Sequence, residues 1–348
     1  MVAPEHKSEN KRMVKMTKKT YYYIAGIGLI LACTMSVCAV FEVKNQEKEY
    51  QGLFFRHMKI FSPEAPPKAS FAGEEVPQDL YYVKEAFERE IMATTFMHTS
   101  SLLMFKRTNR WFPVIEPILK KNGIPDDFKF LALAESNLAN VVSPAGAEGY
   151  WQFIKPTGQK MGLEINDNVD ERYNMELATQ AACDYFKDAF RKFNNWTLVA
   201  ASYNRGLDGL DKALDKQGVT DYYDLYLNDE TARYIFRIIA MKEVYNHPVR
   251  YGFYLLQQDF YPEIPYRIVS IDSTINNIPA FAKHLSVNYR ILREMNPWIQ
   301  NYTLPNKSRK TYSFKIPAEG AMNYETLMKK VPTHDNFFHE TLKINEIH

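Results

Sequence analysis

The sequence predicts a mainly α protein in which an all-α domain over residues 81–257 is followed by a small α+β module over 264–318. Three observations predict it. Apolar residues recur at helical spacing, Val83, Phe87 and Ile91 first, then Trp111, Ile115, Ile118 and Leu119, then Leu198, Ala201 and Tyr203, with no sustained strand-like alternation. Helix punctuation falls where these runs begin and end. Pro125-Asp126-Asp127 opens the run to Glu135, Asn174 and Asn195 stand as caps, and Pro248 closes a helix running from about Asp229 to Asn246. After Pro262 the composition changes, and strand-like stretches at 266–275 and 312–317 enclose two short helical stretches, 278–285 and 289–297.

The chain begins with Lys7, Lys11, Arg12, Lys15, Lys18 and Lys19, followed by an apolar stretch, 21–41, that holds no charge. That order leaves the basic end in the cytoplasm and carries everything after Glu42 across a membrane. Three fates are open to 1–41: a single spanning helix, cleavage around Val37-Cys38-Ala39, or a lipoprotein box at Ile30-Leu31-Ala32-Cys33. The apolar run continues past Cys33, which favours an anchor or uncleaved signal. Residues 42–80 are polar and proline-bearing and read as a tether. The connections 138–149 and 162–173 are expected to wrap a cleft, and residues 319–348 have no assignable role.

The 348 residues, 46% hydrophobic and 24% charged, suffice for one large core and a second small domain. A formal charge of +2 arises from 43 basic and 41 acidic residues spread along the chain, which argues against a phosphate-tracking surface and a nucleic-acid partner. Cys33 and Cys38 lie in the apolar stretch, and Cys183 falls in a helical run as a small buried thiol. His57, His98, His247 and His284 are scattered singly, so no metal or other cofactor is expected.

The most informative position is Glu135, at the end of the apolar run from Phe128 to Ala134. Apolar neighbours and the negative end of a helix both disfavour its ionised form, so it can keep a proton at neutral pH. A lone glutamate at a helix end is ordinarily a solvated terminal residue. Its company argues otherwise. Ser143-Pro144-Ala145-Gly146-Ala147-Glu148-Gly149-Tyr150-Trp151-Gln152-Phe153, then Ala200-Ala201-Ser202-Tyr203-Asn204-Arg205-Gly206, then Asp229-Glu230-Thr231-Ala232-Arg233-Tyr234-Ile235 follow it in order.

Over about 81–253 these four segments resemble the goose-type-lysozyme-like lytic transglycosylases, or SLT-domain family, and within it the membrane-bound murein type. The resemblance implies a lysozyme-like all-α catalytic domain. It also implies a bacterial enzyme on the periplasmic side of a membrane that cuts peptidoglycan glycan strands, its membrane contact made by the N-terminal segment. The unit at 264–318 is similar to a LysM module, which in that family binds glycans containing N-acetylglucosamine, although Ile271 stands where a glycine usually precedes the aspartate.

The resemblance makes Glu135 the catalytic acid and base and gives Ser136, Ser143, Gly149, Trp151, Gln152, Tyr203, Asn204 and Tyr234 to substrate binding. Ser136 would orient the glutamate or an acetamido group, or else satisfy backbone carbonyls at the helix end. Gly149 would let backbone approach a sugar, Trp151 would supply a flat apolar face, and Gln152 a donor and an acceptor. Tyr203 would bring its hydroxyl near Glu135, while Asn204 would fix the loop or touch glycan. Glu230 is expected to be structural at the start of its helix. Glu148 is the one other acid that would make hydrolysis possible if it faced the cleft. A muramidase on the same fold and an inactive peptidoglycan-binding scaffold are therefore the competing readings.

Overall fold

The computed structural model describes Tyr22 and residues 61–331. The chain divides between Ser62 and Pro63, and the architecture below is that of the unit beginning at Pro63. The expected N-terminal export or anchor segment, Tyr22 apart, lies outside the described residues, as does the chain from 332 onward. Among the described residues no helix is long and apolar enough to cross a membrane.

Part of the expected tether, 42–80, departs from the sequence reading. Residues 69–80 are part of the globular core and not a tether. A hairpin pairs β1 (Ser70–Phe71) with β2 (Glu74–Glu75), and Phe71 is fully buried, its ring 5.1 Å from that of Phe128. Glu74 accounts for the rest: its carboxylate accepts hydrogen bonds from the backbone of Trp196 and Thr197, the orphan donors at a helix start. A short polar run with two well-placed apolar residues, Phe71 and Val76, looks like linker in a sequence, because partners such as Phe128, Trp196 and Thr197 lie more than fifty residues away.

The α domain is built from α1 (Tyr81–Phe96), α2 (His98–Asn122), α3 (Lys129–Ser136), α4 (Lys155–Lys160), α5 (Met175–Phe193), α6 (Trp196–Arg205), α7 (Leu207–Gln217) and α8 (Asp229–Asn246). A 3-10 turn, Asp126–Phe128, leads into α3. The caps behave as their residue types dictate. Asn174 accepts from the Leu177 N–H and Asn195 from the Leu198 N–H, while α8 ends before Pro248 as expected. One continuous core runs through these helices, with α3, carrying Phe130, Leu131, Ala132 and Leu133, buried in its middle. That burial makes the end of α3 a fixed platform. Cys183 is buried in α5, as expected, and burial pushes its thiol up to about 12.

The C-terminal module has the expected strand-helix-helix-strand order: β3 (Tyr266–Ile271), α9 (Ile278–His284), α10 (Tyr289–Met295) and β4 (Tyr312–Pro317). The strands pair antiparallel, Tyr266 opposite Pro317 and Ile271 opposite Tyr312. Leu292, Ile299, Leu304 and Phe314 fill its own small core. The module is joined to the α domain through backbone. Val169 pairs with Ile299 as an isolated bridge, Asp170 N–H donates to Trp298 O at 2.8 Å and Gln300 N–H to Asn168 O at 2.8 Å. Lys310 closes the same seam with ion pairs to Glu164 at 2.6 Å and Glu171 at 2.7 Å. Beyond the module, α11 (Tyr324–Met328) turns back, and Val331 is buried in the core of the α domain.

Candidate active site

Glu135 sits one residue before the end of α3, where Asn137 and Leu138 take consecutive left-handed conformations and turn the chain away. That turn is held from two sides: Arg107 Nη1 donates to Asn137 O at 2.9 Å, and Asn137 Nδ2 donates to Ser100 O at 3.0 Å. Tyr234 reaches across from α8, and its hydroxyl donates to Glu135 Oε1. Burial pushes the Glu135 carboxyl up to about 7. The Tyr234 hydrogen bond and the Arg237 cation oppose the shift, and the Glu230 charge adds to it. Burial also pushes the Tyr234 phenol well above its ordinary range, with the neighbouring Glu135 charge adding to the rise, so it stays a donor.

Tyr203 is the second phenol near Glu135, whose charge adds to the upward push that burial gives it. Its hydroxyl donates to Trp151 O at 2.7 Å, while its ring packs among Phe153, Tyr185 and Phe186. Tyr203 thus ties the 149–153 turn to α6. Gln152, at φ 52°, completes that turn by donating from Nε2 to Val141 O at 2.9 Å and Gly149 O at 2.8 Å.

Several of the residues expected to meet substrate are engaged by the protein itself. Trp151 offers no face to a sugar: its side chain is fully buried, and its indole N–H donates to Thr179 Oγ1 at 2.9 Å. Gly149 is required by the packing of the protein itself. At φ +83° a Cβ there would lie 2.1 Å from Arg172 O. Ser136 Oγ is taken up by the carbonyls of Tyr150 at 2.7 Å and Ala132 at 3.2 Å, which is the backbone-satisfying alternative. Ser143 staples its own turn, accepting from Ala147 N–H at 3.0 Å. Asn204 fixes the start of α8, with Oδ1 accepting from Thr231 Oγ1 at 2.9 Å and Nδ2 donating to Glu230 Oε1 at 3.3 Å.

Glu148 is already engaged, accepting from Tyr173 Oη at 2.7 Å and pairing with Arg172 Nη2 at 3.1 Å. Arg172, almost wholly buried, also grips Asp170 at 2.6 Å and donates to Phe153 O at 3.1 Å. It is the pin that holds the 148–153 loop against the seam with the module.

Residues that sequence reasoning missed include Arg237, one turn after Tyr234, and Glu90. Glu90 is only 2% exposed on the packed face of α1, within 4 Å of Arg89, Arg233 and Arg237. An acid on the apolar face of an amphipathic helix was the available signal. Together the site presents a proton-holding carboxyl, two phenols and one attenuated cation, an arrangement suited to delivering and recovering a proton at one atom.

Residues 112–225 match the family described as Transglycosylase SLT domain, and residues 267–320 match the Soluble lytic transglycosylase C-terminal LysM-like domain. The chain is also similar to the Membrane-bound lytic murein transglycosylase D of Escherichia coli strain K12, 27% identical over 192 residues. The protein of that name from E. coli O6:H1 (strain CFT073) matches equally. The match covers 53% of this chain and 42% of each relative, so the chain aligns with less than half the length of those proteins.

Proposed function

We propose that this protein is a peptidoglycan lytic transglycosylase that cleaves the β-1,4 bond between N-acetylmuramic acid and N-acetylglucosamine and leaves 1,6-anhydromuramic ends. The observation that carries the reading is the Glu135 carboxyl, poised near neutrality by burial and hydrogen-bonded through Oε1 to Tyr234. The similarity to transglycosylase domains supports the same class.

With Oε1 accepting from Tyr234, Oε2 carries the proton. Glu135 gives that proton to the glycosidic oxygen as the bond to the muramic acid C1 breaks, and the N-acetyl group of that sugar steadies the developing cation. The 6-hydroxyl of the same sugar then bonds to C1 and returns its proton to Glu135. Water is neither consumed nor released, and the acid is regenerated. A hydroxyl held within its own ring system outcompetes bulk water by proximity. Tyr234 keeps a hydrogen bond to the carboxyl in both protonation states, stabilising the carboxylate that exists between the two transfers.

Hydrolysis by a muramidase would draw on a second acid to activate water, and both carboxylate oxygens of Glu148 are held by Tyr173 and Arg172. On the same reading the chain works on the periplasmic side of a bacterial membrane, reached through the charge order of residues 1–41. The deciding experiment is mass spectrometry of purified peptidoglycan digested by the protein and by Glu135→Gln. Anhydro-ended muropeptides from the parent alone are expected. Reducing ends would mean a hydrolase, and equal products from both proteins would remove Glu135 from the chemistry.

A further inference from the structure

The packed face of α1 carries an acid among apolar neighbours: Glu90, 2% exposed, lies beside Phe87 and Ile91. An ionised carboxylate withdrawn from water is costly unless it is paired, and this one is met by three arginines. Arg89 Nε of the same helix lies 3.4 Å from Oε1, Arg233 Nε of α8 donates to Oε1 at 2.7 Å, and Arg237 Nε, one turn further along α8, lies 3.9 Å from Oε2. Two of the three have a second acid, since Asp229 lies 3.6 Å from Arg89 and 3.5 Å from Arg233. Arg237 is placed differently. Among the described residues Glu90 is the one carboxylate within 4.0 Å of it. Buried ion clusters are weak sources of stability, because desolvation consumes most of the attraction, so stability alone is a poor account of Glu90.

A second carboxyl feels the same arginine. Arg237 follows Arg233, which faces α1, by four residues and Tyr234, which faces Glu135, by three, so it stands on the shoulder of α8 between them. Its cation favours the ionised form of Glu135. The other groups facing Glu135 are Tyr234 and Glu230 of α8 and Tyr203 of α6, and Glu230 is itself engaged by Asn204. Facing Glu90 are the three arginines and the Tyr222 phenol. Arg237 also has room to turn. Its side chain is 32% exposed and lines a cavity of about 320 Å³ together with Glu90, Ser100, Ser101 and Met241. Ser100 O accepts from Asn137 Nδ2, so the cavity reaches the turn that ends the Glu135 helix.

We propose that Glu90 is a positioning residue for the chemistry at Glu135: it anchors Arg237 toward α1, so that the acid faces a cation already paired. The anchored arginine steadies the carboxylate formed between the two proton transfers, yet leaves the resting carboxyl its proton. Without Glu90, Arg237 turns toward Glu135, and the proton is lost at lower pH. That Glu135 is the catalytic acid rests on the function proposed above, whereas the coupling of Glu90 to its protonation stands on the ion pairs and the cavity.

The test is carbon-13 NMR titration of the full chain labelled in its glutamate carboxyls, without substrate, with Glu135→Gln identifying the Glu135 signal. The midpoint should fall by at least ~0.5 pH unit in Glu90→Gln and rise by at least ~0.5 pH unit in Arg237→Gln. In the double variant, Glu90→Gln should add less than ~0.2 pH unit to Arg237→Gln, because an effect carried by Arg237 disappears with it. Glu90→Asp, which keeps the charge but draws it back by one methylene, should show a smaller fall than Glu90→Gln. The alkaline limb of kcat against pH should move with each midpoint, which a merely structural role for Glu90 would not produce. An unmoved midpoint in Glu90→Gln, or one that moves equally with Arg237 absent, would overturn the proposal. If Glu90→Gln fails to fold, an unmoved midpoint in either Glu90→Asp or Arg237→Gln overturns it as well. The midpoints need no turnover, and release of anhydro ends is measured separately, so this coupling and the catalytic reading fail independently.

Discussion

On the proposed function the chemistry rests on Glu135 and the hydrogen bond that Tyr234 donates to it, and two outcomes follow from the electrostatics of that pair. Tyr234→Phe removes the donor that favours the charged carboxylate, so the Glu135 carboxyl should rise above about 7. The alkaline limb of kcat against pH should then move upward, while the rate at the optimum falls by roughly 10–100-fold because the carboxylate between the two proton transfers loses its stabiliser. An unmoved limb would mean that Tyr234 is packing only. The second outcome concerns folding. A carboxyl whose folded value exceeds its unfolded one makes the native state bind more protons between the two values. Its contribution to stability is therefore lost as pH rises from about 4.5 to about 7, and the parent carries a buried charge above that window. Glu135→Gln should raise Tm by a few degrees, about 1–2 kcal/mol, at pH 8 and hardly at all at pH 4. Calorimetry at the two pH values reads the difference directly.

At the scale of elements, the turn from Gly149 to Phe153 is shaped by its neighbours more than by anything it would bind. Gly149→Ala should destabilise the protein by about 2–4 kcal/mol, because the new methyl meets Arg172 O and the backbone cannot leave φ +83° without breaking the Gly149 N–H bond to Val141 O. Urea unfolding measures it, and a loss below 1 kcal/mol would show that Arg172 moves aside. This turn also shows why the sequence was legible only in part. The helices were readable because their signals are local: the spacing of Val83, Phe87 and Ile91, the Asn174 and Asn195 caps, and the proline after α8. The place of Glu135 near a helix end, and the upward push on its carboxyl, were readable for the same reason, from an acid closing an apolar run. What Trp151, Gly149 and Ser136 do was not, since Thr179, Arg172 and Tyr150, which occupy them, are specified only by the fold. Resemblance marks such positions as important without saying whether protein or ligand makes them so.

At the scale of the whole molecule, the module and the α domain share a seam of backbone. Val169 to Ile299 is a strand bridge, Lys310 clamps Glu164 and Glu171, and Arg172 carries the connection on to Glu148 and Phe153. Truncation before residue 264 would strip the 164–171 loop of these partners and uncover Val169, which is 1% exposed in the intact fold. The truncated protein should lose at least ~5 °C in Tm and should be cleaved in that loop by limited proteolysis, whereas an independently tethered module would leave both unchanged. The same bridge bears on how such proteins can be recombined. A crossover placed in the chain between α8 and β3, the natural-looking join, would graft a foreign module onto a loop shaped for another. The transferable cassette is discontinuous: a functional chimera has to bring residues 164–172 along with the module, so the boundary that matters to shuffling lies inside the catalytic half of the chain.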